Sequence, residues 1–228
     1  MTAVAVLGVD LSLTSTGLAR LTWDTHGRLS WQLSRIRSNP APGIEATHAR
    51  LRGIADAVAD AADGAVLVVL EELPHGITSI GMRDRVGLRW LVLDALLEAD
   101  LAGRIVEIHP AHRAMYATGK GSGPMADKDR VLAAVLRRYP AQQVGGNDEA
   151  DALLLAAMGA RRIGRPIEAS LPEACRKAMD RPSWPEVRVP PLVVTVSGPT
   201  AAAALGPASE VVYRVPDAFR PSRVRAER

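Results

Sequence analysis

Ala3-Val4-Ala5-Val6-Leu7-Gly8-Val9-Asp10-Leu11-Ser12-Leu13-Thr14-Ser15-Thr16-Gly17 is the stretch that decides how this chain folds. The run from Ala3 to Val9 is apolar and rich in β-branched residues. It ends at Asp10 and enters a Ser/Thr-rich turn closing on Gly17. That pattern predicts a buried strand leading into a hairpin. It is too short to cross a bilayer. Leu18 to Trp23 and Leu29 to Ile36 continue as two more strands, separated by a turn at His26-Gly27. Three strands joined by short turns predict an antiparallel meander.

Downstream the pattern alternates. Ile44, Leu51, Ile54, Ala55 and Val58 recur at helical spacing, and Gly64 closes that helix. Ala65 to Leu70 is an apolar run of strand length, followed by Glu71 and Glu72. Val86 to Leu101 predicts a helix, and Arg104 to His109 a short strand stopped by Pro110. A Gly-rich loop, Gly119 to Gly123, precedes a helix from Asp127 to Tyr139. A last Ala/Leu-rich helix runs from Asp148 to Ile163. Helices returning to new strands predict parallel crossovers, so the expected architecture is a mixed α/β sheet flanked by helices.

The chain has 228 residues, enough for one domain and an appendage. The composition shifts near Arg181: the segment from Pro182 onward holds eight of the sixteen prolines, so helices are not expected there. The expected division is one folded domain over 1–181 and an extension over 182–228. Pro191 to Ser197 and Glu210 to Val215 either pair as a small hairpin or belong to a mostly extended, flexible tail, and the ending at Arg220, Arg223, Arg225 and Arg228 is basic. Lys and Arg number 28 against 25 Asp and Glu, a net charge of +3 that suits a polyanion without requiring one. The single cysteine, Cys175, excludes a disulfide framework and points to a reducing cytoplasm. No transmembrane segment or internal repeat is present, and no membrane association is expected.

Four carboxylates stand out. Asp10 ends the first strand and Glu71 the fourth. Asp148 and Asp151 lie three apart at the start of a helix and so share one face. Each alone has an ordinary explanation: a turn residue, a helix cap competing with Asn147, a surface group or a loop residue. Together they are costly beside apolar strands unless a cation offsets them. Mg²⁺ takes oxygen ligands and keeps waters. Two such ions about 4 Å apart can activate water and stabilise the leaving oxygen in phosphodiester cleavage.

Gly8 to Gly17, with Asp10 at its centre, resembles the opening motif of RuvC-type Holliday-junction resolvases, in particular their phage and prophage branch. Leu70-Glu71-Glu72 resembles the second motif of that family, and Asp148-Glu149-Ala150-Asp151-Ala152-Leu153 the last. Tyr116-Ala117-Thr118-Gly119-Lys120-Gly121 and Ala126-Asp127-Lys128 are similar to the same branch. The resemblance spans Ala3 to Arg181. It implies the ribonuclease-H-like five-stranded sheet and a metal-dependent endonuclease acting on branched DNA. It also implies a site of two Mg²⁺ ions, replaceable by Mn²⁺, on Asp10, Glu71, Asp148 and Asp151. Lys128 best matches the basic residue near the scissile phosphate. The chain departs from the pattern at Leu11, where the family often has proline, and in a loop lengthened by Gly123-Pro124-Met125. The usual lysine before Tyr116 is missing. Arg113 stands nearest to it, and Arg113 and Lys120 are the further candidates for DNA contact.

Other signals are weaker. Gly119-Lys120-Gly121 lacks the following Ser or Thr and the preceding glycine of a phosphate loop, so no nucleotide cofactor is expected. A sugar-kinase or actin-like ATPase would need a longer chain. An inactive DNA-binding scaffold would have lost a carboxylate. A broader branched-DNA or flap nuclease stays open, because this fold serves several nucleic-acid substrates. His109 and His112 are three apart, but Pro110 between them favours a loop. His75 could approach the carboxylates, though a surface place is the default. Arg161-Arg162 suggests a solvated face. The large apolar residues around Trp90 suit core packing or a subunit interface. A two-fold dimer would meet the two equivalent strands of a junction, so a homodimer is expected.

Overall fold

The opening run forms β1 (Val4–Asp10), and β2 (Ser15–Trp23) and β3 (Leu29–Arg37) follow as the expected antiparallel meander. The structure is a computed structural model that describes residues 3–40, 42–73, 81–189, 193–195 and 210–212. His75 and the arginines from 220 onward lie outside the described residues. β4 (Ala65–Glu71) pairs parallel with β1, and β5 (Ile105–Ile108) pairs parallel with β4. The five-stranded sheet has the order β3-β2-β1-β4-β5.

Because strand side chains alternate, each face of the sheet needs its own cover. Leu7, Val9, Leu18, Val68 and Leu70 pack under α1 (Ile44–Ala61) and α2 (Met82–Glu98). Val4, Val6, Ala19, Leu21, Leu67 and Val69 pack under α5 (Asn147–Arg162), with α3 (Pro110–Thr118) and α4 (Lys128–Arg138) behind it. The α2 helix sits earlier than its apolar pattern suggested. Gly81, at φ 88°, lets the chain enter it, and Asp100, at φ 63°, turns the chain out before Leu101.

β5 stops before Pro110 as expected, but the loop expected between His109 and His112 is not there: Pro110 opens α3. The first turn of a helix has no use for its missing N–H, and the fixed φ suits that position. His109 caps the helix, its Nδ1 accepting from the Ala111 N–H at 3.1 Å.

The far end of α5 is tied down by a buried carboxylate. Glu168 accepts from the Tyr116 hydroxyl at 2.7 Å and the Tyr139 hydroxyl at 2.6 Å, and it pairs with Arg161 at 2.8 Å. Arg161 is therefore not on a solvated face. Its partner lies beyond the helix, where spacing gives no hint of it.

Packing does not stop at Arg181. Trp184, Val187 and Val189 lie against the core, and the Trp184 Nε1–H donates to the Met179 carbonyl at 2.9 Å. Farther on, β6 (Val193–Thr195) and β7 (Glu210–Val212) pair antiparallel, within the segments expected to form a hairpin. A chain ending at Arg181 is expected to melt below one ending at Val189. Losing the Trp184 contacts costs on the order of 2 kcal/mol, or roughly 4–8 °C in Tm. Equal melting curves would show that these contacts contribute nothing.

Candidate active site

Alternation along β1 places Gly8 and Asp10 on the α5 side, with Val4 and Val6. On β4 the same period places Glu71 with Leu67 and Val69. Val9 and Leu70 are register partners across the two parallel strands. Asp10 and Glu71 follow them, at the carboxyl ends of neighbouring central strands. They lie close enough for a side-chain hydrogen bond.

The α5 helix brings the other two carboxylates, and two glycines let it come close. A Cβ on Gly8 would collide with the backbone of Ala152 and Ala156. One on Gly17 would collide with the backbone of Asp148 itself. Near the far end of the helix, a Cβ on Gly159 would sit 2.7 Å from both Val6 and Val69 side chains. The helix thus lies directly on β1 and β2. Asp151, 5% exposed, is buried at the resulting seam. Asp148 is fixed by the Ser15 hydroxyl, which donates to its Oδ2 at 2.5 Å.

Glu149 sets how the chain enters α5. It reaches back to the Gly145 N–H at 2.6 Å and pairs with Arg35 of β3 at 2.9 Å. A glutamate at the third helical position reaching back past the cap is the acidic half of a capping box. The cap itself is Gly146, and neither Asn147 nor Asp148 takes that role. The buried Oδ1 of Asn147 has no hydrogen-bond partner.

The cation in this cluster is Arg113, from α3. Its Nε–H donates to Glu71 Oε1 at 2.6 Å, and a second N–H pairs with Asp151. At 8% exposure it is no surface contact for DNA, contrary to the expectation from sequence. Burial opposes its charge, but Glu71 and Asp151 outweigh burial and hold its pKa above the ordinary value.

The carboxylates still exceed their compensation. Burial, then repulsion from Glu71 and Asp151, pushes Asp10 up to about 9, although Arg113 opposes the rise. Burial also pushes Asp151 up to about 6, with Glu71 and Asp148 adding to it and Arg113 and Lys128 opposing. Lys128, at the first position of α4, is therefore within electrostatic reach of Asp151. Lys120 is exposed in the loop after α3.

The four sequence candidates thus gather where β1, β4 and α5 meet, and Lys128 borders them. Sequence reasoning missed Ser15, whose signal was its place in the turn facing α5. It also missed Glu149, whose signal was its spacing from Gly146. His109 and His112 lie on the first turn of α3, their rings 5.6 Å apart. Burial, then His109, lowers the pKa of His112.

The donor set suits a hard divalent cation. All four groups offer oxygen, they are partly or fully withdrawn from water, and a guanidinium already stands in as counter-charge. Among the described residues, no three acidic, histidine or cysteine side chains are gathered closely enough to hold an ion as they stand.

Neither a protein-family model nor a curated protein matches this sequence. Solved structures do match. RuvC of Thermus thermophilus superposes with a TM-score of 0.54 at 20% identity, over 71% of this chain and 97% of that one. The same protein in complex with a Holliday junction substrate gives 0.51, with the same identity and coverage. At that identity the likeness concerns architecture: the chain has the ribonuclease-H-like fold of RuvC.

Proposed function

We propose that this chain is a metal-dependent, structure-selective DNA endonuclease that resolves four-way junctions. The observation that carries this reading is the convergence of Asp10, Glu71, Asp148 and Asp151 at one end of a ribonuclease-H-like sheet. The junction-bound neighbour of the same fold supports branched DNA as the substrate.

Asp10, Glu71, Asp148 and Asp151 would hold Mg²⁺. When bound, the metal supplies water activation and charge stabilisation for phosphodiester hydrolysis. The chain's own groups do the rest. Ser15 keeps Asp148 turned toward the site. The seat of α5 on Gly8 and Gly17 fixes the spacing between helix and strands. Lys128, at the rim, is placed to neutralise charge on a phosphate beside Asp151.

The test is cleavage of matched junction, flap, nicked, linear and hybrid substrates. Junction cleavage is expected with Mg²⁺ or Mn²⁺ and none in EDTA. Equal cutting of flaps and junctions would favour the broader branched-DNA reading. Cleavage that survives metal removal would end the metal-dependent one.

Two sites on one symmetric particle suit the two equivalent strands of a junction. On the α1/α2 side, Ile44 is 84% exposed, Trp90 61% and Leu97 53%, around a groove of about 1040 Å³. Large apolar groups this exposed and contiguous favour a subunit contact, and a second copy of the same face is the occupant we favour. Trp90→Asp is expected to turn a dimer into a folded monomer by light scattering. It should also uncouple the paired nicks on opposing strands. An unchanged dimer would move the interface elsewhere.

A further inference from the structure

We propose that Arg113 is the internal counter-cation of the carboxylate cluster, and that a divalent ion is held only as the guanidinium releases Glu71 and Asp151. The inference rests on the metal-binding reading above. It makes Arg113 a positioning residue that sets how much metal the protein needs.

Three observations carry it. First, one guanidinium takes up oxygens from two elements, Glu71 of β4 at 2.6 Å and Asp151 of α5. Those are donors the ion would need. Second, the pairs are shielded: the Arg113 side chain is 9% exposed, that of Glu71 17% and that of Asp151 7%. Breaking a shielded pair costs more than breaking a surface one. Third, no three ligating groups among the described residues are gathered around one point while Arg113 lies between them. The α3 backbone is anchored by Ala114, Tyr116 and Ala117, all buried, so the exchange is a movement of the arginine side chain.

The consequence is a competition. An ion that binds only the released arrangement has its apparent affinity reduced by the fraction of molecules already released. Removing the competitor therefore tightens metal binding, even as it removes two ion pairs from the metal-free protein.

The test is calorimetric titration of the full chain with Mn²⁺ at one buffered pH, for the native protein, Arg113→Gln and Arg113→Lys. Melting in EDTA is recorded alongside. Arg113→Gln is expected to bind Mn²⁺ about tenfold tighter or more. It should melt lower in EDTA and gain more from saturating Mn²⁺ than the native chain gains. An ammonium cannot reproduce the planar fork that spans two carboxylates, so Arg113→Lys should fall between. Native binding with both variants equal or weaker overturns the proposal and leaves the metal reading intact. No Mn²⁺ binding by the native chain removes both. If Arg113→Gln does not fold, the lysine variant decides alone: tighter binding supports the competition, and equal or weaker binding ends it.

Discussion

Glu71→Gln is expected to lose junction cleavage by on the order of a thousand-fold, while Glu72→Gln stays within a few-fold of native. Losing a metal ligand removes several kcal/mol of transition-state stabilisation, and about 4 kcal/mol corresponds to that factor. Adjacent strand residues face opposite ways. Glu71 shares the α5 side with Asp10 and is held by Arg113 at 2.6 Å. Glu72 continues past the strand end, its N–H donating to the Ile108 carbonyl at 2.9 Å. Glutamine preserves volume, so the loss would be one of charge and coordination. Single-turnover cleavage of a labelled junction in Mg²⁺ measures it. A dead Glu72→Gln beside an active Glu71→Gln would place the essential carboxylate on the other side of the strand.

Gly8→Ala is expected to be among the most damaging single-methyl additions at the described residues. Its Cβ would meet the Ala152 carbonyl and the Ala156 amide, both backbone, in the middle of α5. No side chain can turn away to make room, so either β1 or α5 must shift. A cost of roughly 3 kcal/mol is expected, or a Tm lower by on the order of 10 °C. Gly53, on the outer side of α1, has nothing within reach of an added Cβ and serves as the control. Gly53→Ala should melt at or above the native temperature. A Gly8→Ala protein that melts like native would show that the seat of α5 is looser than described.

The order of elements was legible because both periodicities are clean. β1 and β4 read as apolar runs, since helices cover both faces of them. The buried positions of α1, Leu51, Ile54, Ala55 and Val58, are among those its spacing marked, while Ile44, marked with them at the helix start, is exposed. The nearness of the carboxylates was legible because Asp10 and Glu71 end predicted strands, Asp148 and Asp151 lie in the first turns of a predicted helix, and the strand ends and the start of α5 converge. The misreadings share another cause. Pro110 between His109 and His112 points to a loop, although proline suits a helix start as well, and only the chain beyond it decides. Arg113 looked like a surface cation because its partners lie 42 and 38 residues away in sequence. Arg161 differs: its carboxylate, Glu168, is only seven residues on but lies beyond the end of α5, where helical spacing no longer applies. Local patterns reveal which face of an element is apolar. They do not reveal which distant carboxylate compensates a buried arginine.

The Glu168 tie gives α5 a property beyond stability. A helix of 16 residues is about 24 Å long and transmits displacement along its axis. One end is pinned by two tyrosines and an arginine gathered on a single carboxylate. Asp148 and Asp151 stand at the opposite end. The rod therefore works as a gauge, and its zero is set far from the carboxylates. Geometric tolerance there is tight, since a misplacement of about 1 Å can cost a hundred-fold in rate. On the proposed function, substitutions around Glu168 would therefore register in turnover as well as in folding, although these side chains stand at the opposite end of α5 from Asp148 and Asp151.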